Sequence, residues 1–419
     1  MIGERGQRRA RVVVVGAGFA GASLIQSLPP ALRGPGQALL VDRSPEWSFV
    51  PLIHEVAVGR IHPDSIRSDV PALCKGRCEF LEAETHSLDA ENRTLHTSAG
   101  PVEYEYLVFA AGSRPNAPPE HMSGDFGLFW SLRDALSLRD SLNDAWQSSL
   151  RGDGEEGTLT VALAGGGATG VELAAEIAVL FDYLKRRTPR SPRHEPKVVL
   201  VEAEDRLLGW LDPYFHRIAL RELQRLGVEV RLRSPVTGAD ENGVQTEHGY
   251  IPARNRLWTA GVHASPPVEK LSASPDGSGR ARIDEYLTLP DAPEIYVPGD
   301  AGVYTSPTHG PLPPTASVAV QQGPWVAKDL ERRLLGRERR PFRYFDRGYV
   351  VSLGPENAVA DAAGAKFSGA RAQALYRSIF LYYLRGRRSR ILTSADWSME
   401  RTIGRLGFDV SGRLHGRKP

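Results

Sequence analysis

The chain has 419 residues and a mass of 45.9 kDa, enough for two or three domains with cores of their own. Hydrophobic residues make up 41% and charged residues 24%, a balance that excludes a disordered chain. Mean hydropathy is −0.30, no stretch approaches the ~18 apolar residues of a spanning helix, and a net charge of +2 argues against a protein that coats nucleic acid.

The first element reads Arg11-Val-Val-Val-Val-Gly16-Ala-Gly18-Phe-Ala-Gly21, followed by a helical pattern over Ala22–Leu28. The β-branched run predicts a buried parallel strand, and the turn has G-x-G-x-x-G spacing. In that spacing Gly16 permits the tight turn, Gly18 lets the backbone approach a pyrophosphate, and Gly21 lets helix and strand pack closely. Arg8 and Arg9 before the apolar run look like a twin-arginine export signal, but Val12–Val15 is the strand the fold needs, so no cleaved leader is expected. A second strand, Ala38–Val41, ends in Asp42, an acid that can accept ribose hydroxyls. The only cysteines, Cys74 and Cys78, cannot build a disulfide framework, which fits a reducing compartment. Tyr106–Gly112 is a short apolar strand ending in a small-residue turn.

The pattern then repeats. A strand over Leu159–Ala164 enters the turn Gly165-Gly-Gly167-Ala-Thr-Gly170, a helix follows over Val171–Leu180, and the strand Val198–Val201 ends in Glu202. The stretch Arg186–Pro196, rich in Arg and Pro, reads as a surface insertion that lengthens the gap to Glu202. Leu257–Gly261 is another strand-and-turn, Ile295–Asp300 a strand ending in Gly-Asp, and Ala316–Leu330 a helix. No His, Cys or Asp cluster has metal-ligand spacing, so no metal is expected.

These segments resemble the two-dinucleotide-domain flavoproteins of the pyridine nucleotide–disulfide reductase superfamily and, more narrowly, type II NADH dehydrogenases, single-chain NADH:quinone oxidoreductases that pump no protons. The specific resemblance lies in Val50-Pro-Leu-Ile-His-Glu-Val-Ala57 and Pro314-Thr-Ala-Ser-Val-Ala-Val-Gln-Gln-Gly323, joined by the two glycine turns, Trp258-Thr-Ala-Gly261 and Pro298-Gly-Asp300. Three positions depart from the family pattern: Ala168 for Pro, Ala111 for Thr, and Val320 for the His before the paired glutamines. The C-x₄-C of the disulfide reductases is absent from the matching region, and Cys74 and Cys78 are read as ordinary residues.

The resemblance implies an α/β fold with two Rossmann-like domains: an FAD domain split between 1–120 and 285–345, an NAD(H) domain over 121–284, and a basic docking region over 346–419. It implies that Gly16, Gly18, Phe19, Ala20 and Gly21 hold FAD, with Asp42 and Arg43 at the adenosine, Asp300 on the ribityl chain, and Pro51, Ala111, Gly112, Gly299 and Ala319 completing the site. The helix starting near Ser317–Ala319 would aim its positive end at the flavin. Gly165, Gly167, Thr169, Gly170 and Gly261 would hold the nicotinamide dinucleotide, and Glu202 would favour NADH over NADPH. Glu172 would position the nicotinamide or pass a proton to the reduced quinone, and Gln321 or Gln322 would donate to a quinone carbonyl. On a helix these two amides point about 100° apart, so one faces a given pocket. Two alternatives stay open: an NAD(P)H-dependent flavoprotein with a soluble acceptor, and a nucleotide-binding sensor with little turnover.

The tail qualifies the charge argument. From Lys366 to Pro419 there are 12 Lys/Arg against 3 Asp/Glu, a net of +9, which leaves −7 for the remainder. Leu375, Ile379, Phe380, Tyr382, Tyr383 and Leu384 precede Arg385, Arg387, Arg388 and Arg390. Apolar and aromatic residues beside arginines predict a helix lying on an anionic bilayer, at the cytoplasmic face of the cell membrane. The same cluster can close a homodimer interface; nucleic acid is not an expected partner.

Overall fold

A computed structural model of the chain describes residues 8–122, 126–266, 275–403, 405–408 and 410; the end of the basic tail, 411–419, lies outside the described residues. The chain divides into two compact units, each assembled from three stretches of sequence. The first comprises 1–47, 68–114 and 262–346; the second comprises 48–67, 115–261 and 347–419.

The first unit is organised on the strand Arg8–Val15, whose Val12, Val13 and Val14 are fully buried. It pairs in parallel with Ala38–Asp42 on one side and Gly100–Phe109 on the other, and Glu79–Glu82 and Ala292–Tyr296 extend the sheet outward, also in parallel. A strand covered on both faces needs apolar side chains in both directions, which is why this segment is a continuous run and does not alternate. The helices Phe19–Gln26 and Ala316–Leu334 pack so closely that a Cβ at Gly323 would fall 2.3 Å from the Ala20 carbonyl oxygen.

The second unit repeats the plan. Thr160–Ala164 is central, with Asn255–Trp258 and Gly127–Leu128 on one side and Lys197–Val201 and Glu229–Arg231 on the other, all parallel. The helix Ala168–Arg187 follows the glycine turn. The helix Leu132–Leu150 starts with a reciprocal cap between Ser131 and Asp134, which satisfies amide donors the first turn leaves open.

Residues 48–67, expected with the FAD domain, group with the second unit, as does everything from Arg347 onward. The C-terminal part forms a three-stranded antiparallel sheet, Tyr349–Ser352, Ala358–Ala362 and Ala365–Ser368, then the helices Ala370–Tyr383 and Arg387–Ile403. Among the described residues no helix is long and apolar enough to cross a membrane. Much of the tail's apolar content turns inward: Leu384 is buried and Phe380 packs edge-on to Phe49 at 5.6 Å. Tyr382 and Ile391, 71% and 67% exposed, face outward, as do Arg387 and Arg388. Arg390 donates to the Leu384 and Tyr382 carbonyls and so closes the end of the preceding helix.

Candidate functional site: two braced glycine turns and a buried acid cluster

In the first unit Gly16 adopts a left-handed φ of 93°, and a Cβ there would lie 2.5 Å from the Ala110 carbonyl oxygen. A Cβ at Gly21 would lie 1.9 Å from the Gly16 carbonyl oxygen, so helix and turn touch backbone to backbone. Gly18 meets nothing within 4 Å, so its backbone borders open space at the start of the helix Phe19–Gln26. Asp42 fixes the turn: its Oδ2 accepts from the Ala17 amide at 2.7 Å and its Oδ1 from the Ser44 amide at 3.0 Å. Phe19 stacks edge-on with Trp47 at 5.4 Å, Ala20, Ala110 and Ala319 pack together, and Arg43 is exposed.

The other expected FAD residues of this unit converge on the same region. Asp300 Oδ2 accepts from the Ser113 hydroxyl at 2.7 Å, and burial raises its carboxyl above the ordinary range while that hydrogen bond and Arg280 oppose the rise. Gly299 has φ 78°, and a Cβ there would lie 3.2 Å from that of Ala20 and 3.7 Å from that of Ala319. Ala111 is half-buried, and the Gly112 carbonyl accepts from the Ser265 amide. The helix Ala316–Leu334 is capped by the Thr315 side chain.

The two glutamines do not behave as a pair of solvent-facing donors. Gln322 is 1% exposed, and its Oε1 accepts from the Gly299 amide at 2.6 Å. Gln321 is half-buried; its Nε2 donates to the Ser317 and Phe345 carbonyls and its Oε1 accepts from the Phe345 amide. Both amides therefore hold backbone in place, Gln322 at the Gly299 turn and Gln321 at residue 345.

The second unit reproduces the plan of the turn. Gly165 has φ 119°, a Cβ at Gly170 would lie 1.9 Å from the Gly165 carbonyl oxygen, and Gly167 meets nothing within 4 Å. Glu202 Oε2 accepts from the Gly166 amide at 2.6 Å and Oε1 from the Glu204 amide at 2.9 Å. The Thr259 hydroxyl reaches the Ala164 and Gly165 carbonyls, and the Asn116 amide donates to the Gly261 carbonyl at 3.2 Å. Thr169 is exposed beside the turn, and Pro51 is half-buried in the single turn Val50–Leu52.

Glu172 lies one turn into the helix Ala168–Arg187, with 13% of its side chain exposed. Its Oε1 accepts from the Ser352 amide at 3.0 Å, and Oε2 lies 3.9 Å from His54 Nδ1. The other ring nitrogen of His54 meets the Tyr376 hydroxyl at 3.2 Å, and that hydroxyl also reaches Glu55 Oε1 at 3.3 Å. Glu55 Oε2 accepts from the Trp397 indole at 2.7 Å and lies 3.7 Å from Arg60 Nη1, which is hydrogen-bonded to Glu176. Burial, with Glu55 and Glu176 nearby, pushes the Glu172 carboxyl up to about 8 against the Ser352 hydrogen bond. Burial and the Arg60 charge push His54 down to about 3, so its imidazole is neutral. At pH 7 the cluster thus contains a carboxylic acid that keeps its proton.

Of this cluster only Glu172 is legible as a site residue in the sequence; His54, Glu55, Arg60, Glu176, Tyr376 and Trp397 are not. One signal was present, the four-residue spacing of Glu172 and Glu176, which puts both on one helix face. Ser113 and Asn116 carried no signal before their partners were known.

The glycine turns fit two dinucleotides: in each, the one glycine with open space before it is the one whose backbone would meet a pyrophosphate, and a Cβ there would enter that space. Among characterised proteins, type II NADH:quinone oxidoreductase Ndh of Mycobacterium tuberculosis is 28% identical over 417 residues, covering 94% of this chain and 88% of that protein. The type II NADH:quinone oxidoreductase of Staphylococcus aureus is 27% identical over 385 residues, covering 87% and 93%. The structure of NDH2 from Plasmodium falciparum in complex with NADH matches with a TM-score of 0.83 at 15% identity, covering 96% of this chain and 100% of that one, a likeness of fold. The pyridine nucleotide-disulphide oxidoreductase profile runs from residue 10 to residue 323, through both glycine turns and the strand-and-turn segments between them, and the chain belongs to that family.

Proposed function

We propose that the chain is a non-pumping NADH:quinone oxidoreductase that uses FAD and NADH. The observation that carries this reading is the pair of braced glycine turns, one in each unit, accompanied by a buried protonated acid in the second. Relatives aligned along about nine-tenths of the chain and named for this activity support it. FAD, when bound, supplies a two-electron carrier that takes hydride from NADH and delivers electrons to a quinone.

Gly16, Gly18 and Gly21 hold the FAD pyrophosphate at the amino end of the helix Phe19–Gln26. Asp42 orients the turn and keeps a lone pair on each oxygen for ribose hydroxyls. Asp300, oriented by Ser113, meets the ribityl chain, and the positive end of Ala316–Leu334 favours negative charge on the flavin. Gln322 acts by fixing the Gly299 turn. Gln321 donates to a quinone carbonyl by exchanging its Phe345 bond. In the second unit, Gly165, Gly167 and Gly170 hold NADH, and the negative charge of Glu202, with Glu204 and Asp205 close in sequence, repels a 2′-phosphate.

The overall reaction, NADH + H⁺ + quinone → NAD⁺ + quinol, needs one proton beyond the hydride. Glu172 supplies it because its carboxyl still holds a proton at neutral pH. A proton returns to Glu172 through the neutral ring of His54 only if Nδ1, 3.9 Å from Glu172 Oε2, gives one up as Nε2 takes one from the Tyr376 hydroxyl.

The protein works peripherally at the cytoplasmic face of the cell membrane, attached through Tyr382, Ile391, Arg387 and Arg388 on the outward side of the last two helices. Deleting the tail is a poor test because Tyr376 and Trp397 belong to the buried cluster. Reversing Arg387 and Arg388 to Glu keeps that cluster and should release the protein from anionic vesicles; unchanged pelleting would reject the attachment. For the activity, purified yellow protein should bleach on addition of NADH and recolour rapidly with a quinone analogue. Recolouring faster with soluble acceptors would overturn the quinone reading in favour of a soluble-acceptor flavoprotein.

A further inference from the structure

A cavity lies outside the glycine turns and borders the acid cluster at Trp397. The second unit contains a cavity of about 630 Å³ between the end of the helix Ala168–Arg187, the turn at Pro355 and the C-terminal helices. Its walls carry Arg186, Arg187, Arg377 and Arg405 against Asp182 and Glu356. Arg186 pairs with Asp182 at 2.9 Å, and four arginines against two carboxylates make the lining net positive, in a concave site that concentrates the field.

The arginines are held by their faces. Arg187 and Arg405 both lie over the Tyr183 ring at 5.8 Å, and Arg377 lies over the Trp397 ring at 5.3 Å while donating to the Pro355 carbonyl. A guanidinium stacked through its face still presents its N–H edge, and that planar fork matches the oxygens of a phosphate. Two cations brought to one ring repel each other, and an anion between them reverses the sign of that interaction. The volume is that of a small-molecule site, larger than a bare phosphate requires.

We propose that this cavity binds a phosphomonoester dianion, with the arginines around Tyr183 and Trp397 taking the phosphate. The class fits the charge, since a monoester carries nearly two negative charges at neutral pH. The phosphate can belong to a soluble metabolite or to a monoester lipid headgroup, and the chemistry at the arginines is the same.

The test uses the full-length, FAD-loaded protein and two probes. Glycerol 3-phosphate is titrated by calorimetry and by tryptophan emission, to which Trp397 contributes. Saturable one-to-one binding is expected, weakening below about pH 6 as the probe loses its second charge. Arg187→Gln and Arg377→Gln should each weaken it roughly tenfold with unchanged FAD content. Arg187 is exposed, so its substitution tests the site without touching the core. In the second arm, phosphatidylcholine vesicles with and without phosphatidic acid are floated with protein. Recruitment by phosphatidic acid that Arg187→Gln removes and glycerol 3-phosphate competes away assigns the lipid source; binding of glycerol 3-phosphate without such recruitment assigns the soluble one. No saturable binding of either probe, or binding unchanged in both variants, overturns the proposal.

Discussion

In the first unit Asp42 braces the glycine turn through the amide of Ala17; in the second, Glu202 does the same through Gly166, and each acid's other oxygen takes the amide two residues further along. The two turns agree even in the 1.9 Å approach that a Cβ at Gly21 or Gly170 would make to the first glycine's carbonyl oxygen. They differ in the middle residue. Glutamate is one methylene longer than aspartate, and a Cβ at Gly166 would come 2.9 Å from Glu202 Oε2 and 2.7 Å from Leu207 Cδ2. Ala17 meets no such obstacle beside the shorter Asp42 and is buried in the core. The brace and the middle residue are thus chosen together, and the acid proposed to set a turn's ligand preference is also part of its scaffold.

The strongest way to separate the units is to break each turn at its third glycine. Gly21→Ala and Gly170→Ala each force a methyl into a backbone carbonyl, at a local cost of about 1–3 kcal/mol or more. Gly21→Ala should yield colourless protein. Gly170→Ala should yield yellow protein that NADH no longer bleaches. Absorbance per mole of chain reads both, and FAD loss in both variants would show that the turns do not serve separate ligands.

Glu172→Gln comes next. If the acid supplies the proton, turnover should fall roughly tenfold to a hundredfold with FAD still bound. The wild-type rate should decline as pH rises through about 8, where Glu172 loses its proton, and the variant should lack that limb. Wild-type stability should fall over the same pH range. The folded carboxyl titrates above its unfolded value, so its contribution is full below about pH 4.5 and is lost as pH climbs to about 8. A neutral glutamine does not suffer that loss, so the variant should melt higher than wild type at pH 9, by about 2–4 °C or more. A lower melting point at pH 9 together with unchanged turnover would leave Glu172 as a helix-end residue only.

The third comparison concerns the braces. Glu202→Ala should raise kcat/KM for NADPH relative to NADH roughly tenfold or more, because a like charge facing the 2′-phosphate is removed. Asp42→Ala should lower FAD retention and leave that ratio alone. A wild-type preference for NADPH would reject the role given to Glu202.

What the sequence revealed and what it concealed follow from the range of the interactions. Both turns and both acids were legible because strand, glycines, helix and acid fall within about 25 to 45 residues and each glycine has its own steric reason. The acid cluster was not, because it is built by pairs such as His54 with Tyr376 and Glu55 with Trp397, more than 300 residues apart. His54 and Glu55 sat inside a recognised segment, yet nothing local says that they turn into the second unit and meet the C-terminal helices. The same limit applies to the tail: its apolar residues suggested one outward stripe, but Phe380 and Leu384 are claimed by the interior.

The glutamines give the smallest and most discriminating test. Gln322→Ala leaves the buried Gly299 amide without its acceptor, a cost of about 1–3 kcal/mol. It should therefore lower the melting temperature and loosen FAD while the quinone KM stays near wild type. Gln321→Ala removes a half-buried clamp on residue 345 and the donor proposed for the quinone carbonyl, so the quinone KM should rise roughly three- to tenfold with FAD retained. Steady-state kinetics on a quinone series and flavin release on dilution separate the two. If Gln322→Ala raised the quinone KM and kept its flavin, the buried amide would face the acceptor after all, and the division between a residue that positions the Gly299 turn and one that meets the quinone would have to be reversed.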